Sequence, residues 1–299
     1  MYEVIYWGDI PLHWPLIALC AIICAGLYAF TARKEHLCRA ALLHAALTAV
    51  IGCFLARAIH AAVCWYDIFL DAMGEFQGIA PFFDPTLGSM NVIGFLAGLL
   101  LAAPIAAGLT KVRTASLLDA SVIPALAMYI LARAIEPLTG QGYGDLMEME
   151  VSVCWLEAIL TAVLLAVCLL FLRGKCRKPG TFFQYALTLW CLVQILPESL
   201  RCDEALFVLV FARVTHLGLA VTLGLTLIRL LAAGRNHLSA KAVVLDIIGL
   251  AAGLGLAIGS IFALDKTNWP KPLVYLLMIA AIVELGIVIC RRIRLEDRA

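Results

Sequence analysis

The stretch VIGFLAGLLLAAPIAAGL, residues 92–109, runs for eighteen residues without a charge, and its reading decides the fold. A helix of about 20 apolar residues crosses a bilayer, and backbone placed in lipid must satisfy its own hydrogen bonds, so such a run reads as a membrane-spanning helix. Working outward from it, eight more runs of the same kind occupy about 15–32, 40–66, 119–138, 151–172, 181–200, 205–230, 243–264 and 272–290. The composition agrees: of 299 residues, 64% are apolar and 14% charged, with a mean hydropathy of +0.99, against about 45–50% and 25% in soluble domains. A water-soluble globule of this length has too little interior for that. Disorder and a small disulfide scaffold are excluded as well. The expected fold is an all-α polytopic membrane bundle of about nine transmembrane helices. The run 15–32 is expected to remain as an anchor, because basic residues follow it rather than precede it.

The charges orient the bundle. Basic residues cluster after every odd-numbered run: Arg33, Lys34 and Arg39; Lys111 and Arg113; Arg173, Lys175, Arg177 and Lys178; Arg229, Arg235 and Lys241; Arg291, Arg292, Arg294 and Arg298. The opposite side carries only Arg201, Lys266 and Lys271 outside the spans. The positive-inside rule then puts the N-terminus outside and the C-terminus in the cytoplasm. The outer loops 67–91 and 136–150 are acidic. The net charge of +1 thus conceals a basic inner and an acidic outer face. Eleven cysteines show no C-x-x-C pair and no Cys/His ligand spacing, so they read as small hydrophobes and no metal site is expected. Small residues at four-residue spacing in the last two runs, such as Gly249 and Gly253, read as close helix packing.

Ionisable side chains inside spans are costly and mark functional candidates. Run 2 carries Arg57 and His60 on one face, and run 4 ends with Tyr129, Arg133 and Glu136 on another. Run 5 begins with Glu157, run 6 ends with Gln194, Glu198 and Arg201, and run 7 holds Arg213 and His216. With the topology above, all of these fall in the outer half of the bilayer. Two readings of the charges stand side by side. One is a phospholipid headgroup site, since the guanidinium fork suits phosphate. The other is internal pairing of Arg57, Arg133 and Arg213 with Glu136, Glu157 and Glu198. The stretch EPLTGQGYG (136–144) breaks the helix, and its glycines, Gly140 and Gly144 among them, allow backbone N–H groups to approach an anion.

Several segments, in order, resemble the prolipoprotein diacylglyceryl transferases. They are GDIPLHWPLIAL (8–19), IGCFLARAIH (51–60), GSMNVIGFLAG (88–98) with Gly88, Met90, Gly94 and Gly98, and LLDASVIPALA (117–127) with Asp119 and Pro124. ARAIEPLTGQGYG (132–144), WLEAIL (155–160), RKPGTFF (177–183) and PESLRCD (197–203) follow. The resemblance covers about 1–232, so it implies a seven-helix transferase-like domain there and an added two-helix hairpin over 233–299. The pattern departs at Pro15, Ile93, Glu136, Gln141 and Gln194, where the family carries Tyr, His, Asn, Glu and Arg.

The resemblance implies transfer of the diacylglyceryl group of phosphatidylglycerol to the cysteine thiol of a prolipoprotein, releasing glycerol phosphate, in the bacterial cytoplasmic membrane. No cofactor, metal or nucleic acid is expected. It implies Arg133 as the catalytic, phosphate-binding arginine, Arg57 as a cavity residue, and Glu198 and Arg201 as groups holding the outer end of run 6; Glu136, Gly140, Gly144, Glu157 and Arg213 are expected with them around the phospholipid. His60, beside Arg213 or His216, is expected to stand in for the missing histidine. The alternatives are a non-catalytic paralogue that binds phospholipid or lipoprotein in the same cavity, and a small-solute transporter, for which internal repeats would be expected.

Overall fold

The computed structural model describes residues 6–7, 10–33, 37–71, 73–84, 90–139, 143–146, 149–201, 213–234 and 240–298. The expected Gly8, Gly88, Gly140, Gln141 and Asp203, and the start of run 7, lie outside the described residues. Helices stand at all nine predicted runs: α1 (His13–Ala32), α2 (Cys38–Val63), α5 (Val92–Thr110), α6 (Thr114–Ile135), α7 (Val153–Val167), α8 (Thr181–Leu200), α9 (Val214–Gly234), α10 (Ala240–Lys266) and α11 (Lys271–Arg298). Two short helices, α3 (Trp65–Phe69) and α4 (Ala80–Phe83), lie between α2 and α5. The protein is an all-α polytopic membrane bundle. Large apolar side chains such as Ile22, Phe30, Val50, Leu109, Leu225 and Ile287 point outward from these helices, as lipid-facing surface requires.

Among the described residues, eight of the nine long helices are each apolar enough to cross a membrane; α8 is the exception. The reason is its position. Its faces are covered by protein over most of its length, so Gln184, Thr188, Gln194 and Glu198 can sit buried on it without meeting lipid. The turn before it follows from RKPG: Thr181 N–H donates to Lys178 O at 3.2 Å, and Gly180 takes φ +91°, a conformation that favours glycine after proline. Two β-hairpins were not anticipated: β1 (Tyr6–Trp7) pairs with β2 (Ile10–Pro11), and β3 (Tyr143–Leu146) with β4 (Met149–Ser152). The strand β4 explains why the fifth span starts at Val153 rather than at 151.

The chain divides into two compact units: Met1–Cys24, Ser121–Ala205 and Leu219–Ala299 in one, Ala25–Ala120 and Leu206–Gly218 in the other. They cut the chain differently from the segments 1–232 and 233–299, which follow resemblance rather than packing. In the first unit α7 packs on α8, α8 on α11, and α11 on α10. Gly249 and Gly253 face α11, where a Cβ on Gly253 would come within 2.8 Å of Leu285, so the small-residue spacing does serve close packing. At the basic end, Asp297 at the end of α11 accepts from the backbone N–H groups of Arg177 and Lys178 at 2.9 Å each.

A buried charge group missed by the sequence reading ties α10 to α11. Asp246 pairs with Arg292 and, at 2.6 Å, with Arg291; Asp246 and Arg292 are both almost fully buried. Asp246→Asn keeps the size and removes the charge, and is expected to cost about 2 kcal/mol, the scale of a charged hydrogen bond. Thermal unfolding of the full chain in micelles measures it; an unchanged midpoint would contradict the pairing.

The second unit is built on α2 against α5. Gly94, Gly98, Ala102 and Ala106 lie buried at four-residue spacing on α5, and Gly52 and Ala56 are buried on α2. Deeper in the same unit His44 joins three elements: its Nε2 donates to Leu99 O at 2.9 Å, and its Nδ1 meets the Tyr28 hydroxyl at 2.8 Å, which also reaches Leu117 O.

Candidate functional site

In the first unit, the end of α6, the 3₁₀ turn Glu136–Thr139, the start of α7 and the end of α8 bring charged residues from three separate sequence segments together. Helical spacing supplies each set. Tyr129, Arg133 and Glu136 share a face of α6 and its continuation; Cys154, Glu157 and Thr161 share one of α7; Trp190, Gln194, Glu198 and Arg201 share one of α8. Pro137 ends the α6 hydrogen-bond ladder and turns Glu136 back over Arg133. Val153 and Leu200, the sequence neighbours of Cys154 and Arg201, form a buried apolar cluster with Tyr275.

Arg133 pairs with Glu136 and, through Nε, with Glu157 Oε2 at 2.5 Å. Its Nε also faces the Tyr129 hydroxyl at 3.1 Å, and its guanidinium lies 5.2 Å from the Tyr129 ring centroid. Arg201 Nη2 donates to Glu136 Oε1 at 3.0 Å and approaches Cys154 Sγ at 3.6 Å, while Nη1 stands 3.8 Å from Glu198. Glu136 therefore bridges the two arginines. The Tyr129 hydroxyl reaches Glu157 Oε2 at 2.9 Å and Gln194 Oε1 at 3.0 Å, and Gln194 Nε2 donates to Thr161 Oγ1 at 3.2 Å. Trp190 meets the Tyr129 ring edge-on at 5.3 Å. Glu157 is 1% exposed and Glu136 24%, so the cluster opens at Glu136, with Arg133 and Arg201 on either side of it about equally exposed. Among the described residues Nη2 of Arg133 carries no partner. That unused edge is where an anionic oxygen can add.

Of the other predicted site residues, Arg57, His60, Arg213 and His216 lie in the second unit. Arg57 is buried and two of its nitrogens donate to backbone: Nε to Phe82 O at 2.8 Å, and Nη2 to Pro81 O at 2.9 Å and Asp84 O at 3.1 Å. Those contacts hold the α4 segment, a role that the headgroup expectation did not include. His60 is buried one turn beyond Arg57, and Arg213 and His216 are buried at the start of α9. Ile93 packs on α9 so tightly that a Cβ on Gly218 would fall 2.5 Å from it. Gly144 is not part of an anion-binding loop: its backbone pairs opposite Val151 in the β3–β4 ladder. Cys154 and Thr161 were passed over in the sequence, although their spacing from Glu157 put them on its face.

Fold and site together define the class: a multi-pass α-helical membrane protein with a buried arginine–carboxylate cluster at one end of a helical unit. No protein-family model and no curated protein matches the chain.

Proposed function

We propose that the chain is a divergent diacylglyceryl transferase-like protein of the bacterial cytoplasmic membrane, which takes phosphatidylglycerol and a prolipoprotein thiol at the Arg133–Arg201 cluster. The observation that carries this reading is the convergence in one buried cluster of Arg133, Glu136, Glu157, Glu198 and Arg201, which come from three separate motif segments. Arg133 Nη2, at the open edge, meets a phosphate oxygen. Fixed positive charge in a water-poor site stabilises the glycerol phosphate as it leaves. Glu136 and Glu198 hold Arg133 and Arg201 in place before the lipid enters. The reaction forms a sulfur–carbon bond to the glycerol and breaks the carbon–oxygen bond to phosphate, so the thiol must lose its proton.

A second reading, a non-catalytic phospholipid-binding paralogue, is favoured by one observation. Ile93 fills with apolar packing the place where the family has its histidine. One experiment separates the two. The chain is expressed in cells depleted of their own transferase, and a test lipoprotein is examined for the mass of an added diacylglyceryl group. The expected result is that mass shift. No shift, with phosphatidylglycerol still copurifying, favours the binding paralogue; neither shift nor lipid defeats both.

A further inference from the structure

Four side chains form a line of hydrogen bonds running inward from Arg133. The Tyr129 hydroxyl accepts from Arg133 Nε at 3.1 Å and has a single proton to give, with two acceptors in reach: Glu157 Oε2 at 2.9 Å and Gln194 Oε1 at 3.0 Å. Gln194 is held in turn by its donation to Thr161 at 3.2 Å. With Glu157 ionised, Tyr129 donates to the carboxylate. With Glu157 protonated, the carboxyl donates to the Tyr129 oxygen, and the Tyr129 hydroxyl turns to Gln194. With Glu157 protonated every group in the line has a partner; with Glu157 ionised the Gln194 carbonyl gives up the Tyr129 hydrogen bond, and the change between the two states is rotation of the Tyr129 hydroxyl. Arginine, which the family carries at this position, offers no acceptor. The two-state line therefore depends on the glutamine found here.

The charged and titratable neighbours facing this line are Arg133 and Glu136 from α6 and its continuation, Cys154 from α7, and Glu198 and Arg201 from α8. Glu157 itself is almost fully buried, whereas Tyr129 is partly exposed, so a substrate can come nearer to Tyr129 than to Glu157.

We infer that Glu157 is the proton acceptor of the site, loaded through the Tyr129 hydroxyl, with Gln194 taking the Tyr129 hydrogen bond while the proton is held. This rests on the transferase reading above. The acceptor thiol gives its proton to the Tyr129 oxygen as Tyr129 gives its own to Glu157. The sulfur lone pair forms the bond to the glycerol carbon, and the electrons of the broken carbon–oxygen bond leave with glycerol phosphate. Glu157 then returns the proton along the same line to the departing phosphate.

The test uses the full chain in phosphatidylglycerol liposomes with two lipobox peptides, one bearing cysteine and one selenocysteine, which is already ionised at neutral pH and needs no base. In Tyr129→Phe and Glu157→Gln, transfer to the cysteine peptide is expected to fall about 10²-fold or more, while transfer to the selenocysteine peptide falls less than about tenfold. Equal losses with both peptides would make the two residues structural and overturn the inference. Infrared titration of the same liposomes separates this from failure of the transferase reading. A protonated-carboxyl band present in the unsubstituted chain and absent from Glu157→Gln supports proton loading even if no peptide is modified; its absence from the unsubstituted chain overturns it.

Discussion

Arg133→Ala is expected to destabilise the full chain by about 3–5 kcal/mol and to abolish retention of phospholipid, while leaving insertion into the membrane intact. The magnitude is that of removing one partner from a buried ion pair, which strands the other charge away from water. Here two carboxylates are affected. Glu157, 1% exposed, loses its cationic partner, and Glu136 loses one of the two arginines it bridges. Insertion depends on the apolarity of α6, which the substitution does not lower. Arg133→Lys is expected to recover only part of the loss, because a single ammonium cannot reach Glu136, Glu157 and the Tyr129 hydroxyl with one planar fork. Arg133→Met combined with Glu157→Gln removes both members of the most buried pair, and is expected to be less destabilised than Arg133→Ala alone, the mark of direct coupling. Thermal unfolding in micelles and mass spectrometry of copurified lipid measure both effects. An unchanged unfolding midpoint for Arg133→Ala would defeat the ion-pair account, and undiminished lipid would defeat the headgroup site.

How much of this could be read beforehand depends on how local each feature is. Hydropathy is a property of a run, so all nine helices could be placed from sequence, and spacing within a helix put Arg133 beside Glu136 and Glu198 beside Arg201. The pairs Arg133–Glu157 and Arg201–Glu136 join different helices, and no periodicity carries them. Of the two readings held apart in sequence, the ion pairing is what the cluster displays; the headgroup reading is a proposal that rests on the one Arg133 nitrogen without a partner among the described residues. Arg57 illustrates the opposite case: an intramembrane arginine looked like a ligand site, but its partners are carbonyls of the α4 segment, which no side-chain pattern announces. The hairpin β3–β4 escaped because a strand of four residues around glycine has too short a pattern to register. Asp246 was legible and passed over: it is an acid within the run 243–264, and its two arginines stand together at the end of the next helix.

The stretch 92–109 yields the other large effect, and here the sign changes within one helix. A Cβ placed on Gly98 would overlap the backbone of Gly52, and one on Gly94 the backbone of Ala56. Backbone cannot rotate aside as a side chain can, so α2 and α5 must separate, and with them goes the principal packing of the second unit. Gly98→Leu is therefore expected to cost well beyond the ~1–3 kcal/mol typical of an overpacked side chain, and the chain should lose its cooperative unfolding transition. Gly98→Ala should show the same direction with a measurable midpoint. Gly108, further along the same helix, is exposed, and a methyl group added there would meet open space. Gly108→Ala should then be neutral or stabilising by up to about 1 kcal/mol, the helix-propensity difference between the two residues. Unfolding midpoints of the two alanine variants decide the matter. If Gly98→Ala proves no less stable than Gly108→Ala, the close approach of α2 and α5 through their glycines is wrong. If the difference has the expected sign, Gly94 and Gly98 serve helix contact, the role that small residues at four-residue spacing have between packed membrane helices.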